Sequence, residues 1–73
     1  MKLSAAQLDM LLAAAKTSDG SVLGHGFSHG RHAISTGKAL ERRGLLRLAQ
    51  VKASYNIYRL TEDGRRCLEE RGR

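Results

Sequence analysis

The sequence Ile-Ser-Thr-Gly-Lys-Ala-Leu-Glu-Arg-Arg-Gly-Leu-Leu, residues 34–46, decides how the rest of this chain is organised. It has the composition of a basic helix that ends at Gly44 in the left-handed conformation, followed at once by an apolar strand start. A second stretch, residues 58–68, has the pattern of a strand that runs into a capped helix. Residues 47–57 lie between the two stretches and are enough for a β-hairpin. The pattern therefore predicts a helix, a two-stranded hairpin and a second helix.

The predicted hairpin has an alternating pattern of apolar and polar residues. Leu46 and Leu48 alternate with less apolar neighbours, which is typical of a half-buried strand. Residues 52–54 would form the tip and residues 55–60 the return strand, with Tyr58 pointing inward. Tyr55, beyond the tip, could stack on a sugar or a base, but we favour cross-strand packing for its ring.

The last helix has a recognisable start. Thr61 is in the capping position, and acidic residues occupy the first turn, where the helix dipole favours negative charge. Gly64 inside this helix costs about 1 kcal/mol relative to alanine, so we expect another backbone to approach it closely. Cys67 has the place of a small, partly buried apolar residue.

The N-terminal residues predict a further helix. Ser4 and Gln7 have the spacing of a capping box, and the turn composition of residues 17–20 ends the pattern. The predicted inward face consists of Leu8, Leu11, Leu12 and Ala15. Because such a face must pack on something, we interpret this helix as scaffold rather than site.

The length indicates one small domain, residues 1–73, and the predicted helices and hairpin make it an α+β domain. A single cysteine cannot form an internal disulfide, so nothing points to an oxidising compartment. The N-terminus has no long apolar run, and Asp9 interrupts its most hydrophobic part. We therefore expect a cytoplasmic protein with no membrane partner.

The net charge of +6 favours an acidic partner, and its distribution says more than its sum. Residues 1–20 are neutral, whereas residues 28–47 contain five basic residues against Glu41 alone. A concentration of positive charge in the middle of the chain indicates a binding face rather than an evenly solvated surface.

The central helix is predicted to begin between Ser28 and Arg31 and to end at Arg43. Its inward face would consist of Ala33, Gly37 and Leu40, with Ile34 at the edge. On the opposite face the spacing i, i+4, i+7, i+11 aligns Arg31, Ser35, Lys38 and Arg42. Arginine and lysine can reach guanine edges or phosphates, and serine can take either role. The alternative is an ordinary solvated helix face; the near absence of acids favours the binding interpretation.

Residues 20–30 are interrupted by four glycines, which argues against a long helix. Residues 21–23 could form a short strand. His25, His29 and His32 are spaced closely enough to suggest a metal site, but no second cysteine or nearby carboxylate completes a ligand set. Exposed or phosphate-facing histidines are the favoured alternative, so no metal or other cofactor is predicted.

The two stretches together resemble a winged helix-turn-helix domain of the MarR and PadR kind, found in bacterial and phage regulators. The resemblance covers roughly residues 31–70. It depends on Arg43-Gly44-Leu45-Leu46 and on Leu60-Thr61-Glu62-Asp63-Gly64-Arg65, about a dozen residues apart. It implies a compact winged-helix domain with three helices and a two- or three-stranded antiparallel β-wing.

The resemblance also implies a function, which is binding to double-stranded DNA as a transcriptional regulator or phage accessory factor. In that family one helix enters the major groove and the wing touches the backbone or the minor groove. The implied groove or phosphate contacts are Arg31, Ser35, Thr36, Lys38 and Arg42, and the implied wing contact is Lys52.

Few residues separate the first helix from the central one, so the usual second helix is expected to be absent or reduced to a turn. A monomer with a short wing would contact few phosphates, so a homodimer or a modest-affinity role is expected. The alternative function is a protein-interaction module, such as a phage-encoded inhibitor that docks on an acidic host-protein surface. An enzyme is not expected, because no catalytic constellation and no phosphate-binding loop is present in the sequence.

Overall fold

The computed structural model describes residues 2–26 and 32–71. Its elements follow one another as α1 (Ala5–Ala15), β1 (Ser21–His25), β2 (His32–Ala33), α2 (Ile34–Arg42), β3 (Leu46–Val51), β4 (Tyr55–Leu60) and α3 (Glu62–Arg71). The described residues form a small α+β arrangement of three helices and a sheet. None of these helices is long and apolar enough to cross a membrane.

The sheet is mixed, with strand order β2-β1-β4-β3. Strand β4 pairs antiparallel with both β1 and β3, and the short β2 pairs parallel with β1. The predicted sheet was antiparallel with two or three strands. It differs because the residues before α2 are extended and pair with the end of β1 at Gly24 and His25. The strand predicted at residues 21–23 is confirmed as β1.

One face of the sheet carries the core, and the helices pack on that face. The largest fully buried side chains are those of Tyr58, Met10, Leu11, Leu40 and Leu46. They come from α1, α2 and two strands, so a single apolar cluster joins helices and sheet. The predicted inward direction of Tyr58 is confirmed.

Helix α1 begins with the predicted capping box. The Ser4 hydroxyl accepts a hydrogen bond from the Gln7 backbone at 3.2 Å, and the Gln7 side chain accepts one from the Ser4 backbone at 3.1 Å. The predicted inward face was wrong in part, however, since only Leu11 of its four residues is fully buried. The buried residues are Met10, Leu11 and Ala14, while Leu12 is 43% exposed. The buried face is rotated by about one residue, or roughly 100°.

Helix α2 begins later than predicted, at Ile34, because His32 and Ala33 belong to β2. Residues 28–31, where its start was expected, lie outside the described residues. The end of the helix is close to the prediction: Arg43 is the C-cap and Gly44 has a φ of +76°. The Gly44 and Leu45 amides donate to the carbonyls of Glu41 and Leu40, which is a Schellman motif.

Thr61 links the end of α2 to the start of α3. Its hydroxyl donates to the Gly44 carbonyl at 2.6 Å and accepts from the Gly64 amide at 3.0 Å, as expected of a capping residue. The Gly64 Cα faces the Leu45 backbone, so the predicted close approach is confirmed. Cys67 is half-buried and packs on the core.

The Thr61→Val variant should lower the free energy of unfolding by about 1–2 kcal/mol, since it keeps the shape but removes both hydrogen bonds. Urea denaturation measures this loss. Thr61→Ser keeps the hydroxyl and is the matched control, with a smaller expected loss. Equal losses for the two variants would show that the hydroxyl is not the source of the stabilisation.

Candidate functional site

The exposed face of α2 carries three of the predicted site residues. Ser35, Lys38 and Arg42 are all exposed, and their spacing places them on one side of the helix. Gly37 and Leu40 are buried on the other side. The two ion pairs among the described residues, Arg59–Asp19 and Arg66–Asp63, leave Lys38 and Arg42 uninvolved. This surface, called here the α2 face, is therefore polar, cationic and open to solvent.

Helix α2 is fixed against the sheet by the contact between Gly37 and the Tyr58 ring. A Cβ at position 37 would lie 2.5–2.9 Å from three ring carbons of Tyr58. Because the helix axis can approach the sheet this closely only without a side chain at position 37, the contact sets which side of α2 faces outward. The Asn56 side-chain amide donates a hydrogen bond to the Tyr58 hydroxyl at 3.2 Å, which holds the ring at its hydroxyl end.

One predicted site residue, Thr36, lies away from the centre of the α2 face. Thr36 is only half-exposed and lies on the flank of the helix, nearer to the buried side. Arg31 lies outside the described residues. The contact that the resemblance implies for Thr36 stays a prediction, and so does the place of Arg31 on the stripe with Lys38 and Arg42.

Lys52 is exposed at the tip of the β3–β4 hairpin, where its amide donates to the Tyr55 carbonyl at 2.8 Å. The strand pairing shows which end of the sheet this is. Asn56 pairs with Gly24, and Gly24 pairs with His32 just before α2. The tip therefore lies at the end of the sheet where α2 begins, whereas Arg42 lies in the last turn of α2.

Arg43 and Arg47 do not extend the α2 face, although the sequence places them close to it. The Arg43 guanidinium donates to the Lys2 carbonyl at 3.1 Å and so ties the end of α2 to the N-terminal segment. Arg47 points away from the helices, because its neighbour Leu46 is buried in the core and side chains alternate along a strand. The described basic residues of the segment 28–47 therefore do not share one surface: Lys38 and Arg42 lie on the α2 face, and Arg47 lies on the other side of the sheet.

The second surface is the helix-free side of the sheet, which was not predicted from the sequence. Here Arg47 pairs directly with Arg59, and a groove of about 360 Å³ lies beside them. The groove is lined by Asp19, Ser21, Arg47, Ala49, Gln50, Ile57 and Arg59. The signal in the sequence was that each arginine is next to a residue of the core, Leu46 for Arg47 and Tyr58 for Arg59, but the pairing of the two strands had to be known to bring the arginines together.

Asp19 borders this groove and is already engaged. The Ser21 hydroxyl donates to its carboxylate at 2.7 Å and the Ser21 amide at 3.1 Å, and these hydrogen bonds lower the pKa of Asp19, with a smaller contribution from Arg59. The Arg59 guanidinium lies 3.7 Å from the same carboxylate. Because both groups are about half exposed, this ion pair is weak.

The two described histidines, His25 and His32, are not part of a group of side chains that could bind a metal ion. The His25 ring stacks on Tyr55, with 5.2 Å between centroids, which confirms the packing role expected for Tyr55. His29 lies outside the described residues. Across residues 2–26 and 32–71, no three His, Cys, Asp or Glu side chains come together in a way that could hold a metal ion.

The chain was compared with models of known protein families, with curated proteins and with solved structures. None of the three comparisons gives a match.

Proposed function

We propose that this chain is a compact winged-helix protein that binds double-stranded DNA. Helix α2 would enter the major groove and the tip of the β3–β4 hairpin would contact the backbone. The observation that carries the proposal is the α2 face, on which Lys38 and Arg42 are exposed together without an acidic partner. Ser35 on the same face can donate to a phosphate or to a base edge.

The order of the elements supports the same proposal. Helix α2 precedes the antiparallel β3–β4 hairpin, and β1 pairs with β4, the second strand of that hairpin. This is the arrangement expected from the winged-helix resemblance. Residues 32–33, directly before α2, are extended, and few residues separate β1 from β2, so any second helix would be short and this would be a reduced version of the fold. The function would be that of a transcriptional regulator or phage accessory factor.

The few cations involved set the expected affinity. If Lys38, Arg42 and Lys52 each neutralise one phosphate, the slope of log K against log salt is about −2.7. Affinity should then fall roughly 40-fold between 50 and 200 mM salt. A monomer with this footprint would bind weakly, so a homodimer that doubles the contacts would be needed for tight binding.

The test is fluorescence anisotropy with a labelled DNA duplex at several salt concentrations. The Lys38→Glu and Arg42→Glu double variant should lose binding, and the corresponding double change to Gln should flatten the salt slope by about two units. The charge-matched control is Arg66→Glu with Arg71→Glu on α3, which should keep most of the affinity. Circular dichroism checks that each variant is folded. Absence of duplex binding by the unmodified protein at low salt would eliminate the proposal.

A further inference from the structure

The helix-free side of the sheet, called here the outer face, has an ordered arrangement of side chains. Strand pairing places them in three rows: Ser21, Arg59 and Arg47; then Leu23, Ile57 and Gln50; then His25 and Tyr55. The first row is cationic, the second has an apolar centre, and the third is aromatic. Since alternate residues on a strand are about 7 Å apart, the rows have the spacing of alternate residues in an extended peptide.

The cationic row has more positive than negative charge, because the one acid among the described residues that lines the groove, Asp19, forms only a weak ion pair with Arg59 at 3.7 Å. Arg47 and Arg59 are directly opposite each other on adjacent strands, an arrangement that is unfavourable for like charges. The acid that borders the groove is Asp19, and its carboxylate already accepts two hydrogen bonds from Ser21. A carboxylate from another molecule, placed between the two guanidinium groups, would remove the repulsion and could accept bidentate hydrogen bonds.

The second row offers an apolar contact beside the charges. Leu23 and Ile57 are paired and only half-buried, and no helix residue lines the adjacent groove. A half-exposed aliphatic centre with arginine, tyrosine and glutamine around it has the composition of a protein-binding surface.

We propose that the outer face binds an extended acidic segment of a partner protein. Its carboxylate would lie between Arg47 and Arg59, and an apolar side chain two residues further along would pack on Ile57 and Leu23. A second copy of this chain that docks by the same face fits less well, because the acid that borders this face in the described residues, Asp19, is already bonded to Ser21 and paired with Arg59. Single-stranded nucleic acid also fits less well, because the centre is aliphatic and the Tyr55 ring is already stacked on His25.

This surface is independent of the proposed DNA contact. The α2 face and the outer face lie on opposite sides of the sheet, since α2 packs on the side that carries Leu46 and Tyr58. Both surfaces can therefore be occupied at once, and either assignment can fail without the other.

The test uses a fluorescein-labelled peptide in which glutamate is followed two residues later by valine, titrated with the full chain. We expect saturable binding that weakens by about tenfold or more when glutamate is changed to glutamine or when the protein carries Arg47→Glu. Changing the valine to serine should also weaken binding. The Lys38→Glu and Arg42→Glu variant should bind the peptide as the unmodified chain does.

Three results would overturn the proposal. One is no saturable binding of the peptide up to millimolar concentration, and another is equal binding by the Arg47→Glu variant. The third is tighter binding of an oligothymidine strand that is lost in the same variant, which would assign the outer face to nucleic acid. Arg59→Gln provides a second variant, with circular dichroism to verify folding, and should weaken peptide binding in the same direction.

Discussion

Replacing Gly64 by alanine should destabilise this protein by about 3 kcal/mol or more, although alanine is the better helix former. A Cβ at position 64 would overlap the Leu45 carbonyl oxygen and lie 2.6 Å from a Leu60 methyl carbon. The Leu45 carbonyl cannot easily withdraw, because it accepts the Thr61 amide at 3.1 Å. The gain of about 1 kcal/mol in helix propensity is therefore smaller than the cost of the overlap.

Against a total stability of roughly 4–11 kcal/mol for a chain of this length, such a loss would be visible in urea denaturation. The matched control is Gly26→Ala, where the Cβ would meet, among the described residues, only an Ile34 methyl group at 4.0 Å. We expect this control to change the free energy of unfolding by less than about 1 kcal/mol. If Gly64→Ala were as stable as the unmodified chain, the close packing of α3 on the start of β3 would be incorrect.

A second large loss of stability is expected for a substitution at Gly37, the residue that allows α2 to pack closely on the sheet. In Gly37→Ala the new methyl group would lie 2.5–2.9 Å from three carbons of the Tyr58 ring. The ring is fully buried and has no space to rotate, so α2 must move outward. We expect a loss of about 2–3 kcal/mol, together with weaker duplex binding because the α2 face is displaced.

A double-mutant cycle with Tyr58→Leu isolates this contact. Tyr58→Leu alone should destabilise the core, but it also removes the ring carbons that the Gly37→Ala methyl group would meet. The double variant should therefore be more stable than the sum of the single losses by about 1 kcal/mol or more. Simple additivity would show that Gly37 and Tyr58 are not in the contact described.

The elements whose positions depend on local chemistry were predictable from the sequence. Ser4 with Gln7, Gly44, and Thr61 each satisfy backbone groups at a helix end, so a few neighbouring residues determine their roles. The close approach at Gly64 was also foreseen, because a glycine inside a helix has a cost that needs a structural reason.

The buried face of α1 could not be predicted in the same way. Because α1 is apolar on most of its circumference, its sequence offers two possible buried faces, and both of them contain Leu11. Packing against the sheet selects the stripe with Met10 and Ala14 and leaves Leu12 exposed. The parallel pairing of β2 with β1 was unpredictable for a related reason, since two residues have no periodicity to detect.

The candidate site was predictable in part. Helical periodicity was enough to bring Ser35, Lys38 and Arg42 together, because they lie in one regular helix. Arg47 was grouped with them only in the positive charge of residues 28–47, that is, by nearness in sequence. Strand alternation instead places it on the outer face with Arg59, a contact between residues far apart in the chain.

The most direct test of the DNA-binding proposal is an amide-resolved NMR titration of the labelled protein with a short duplex at low salt. We expect the largest chemical-shift changes at Ser35, Lys38 and Arg42, with a further change at Lys52. The residues of the outer face, Gln50 and Ile57 among them, should shift little. Changes concentrated on the outer face, or none at all, would contradict the assignment of α2 as the DNA-reading helix.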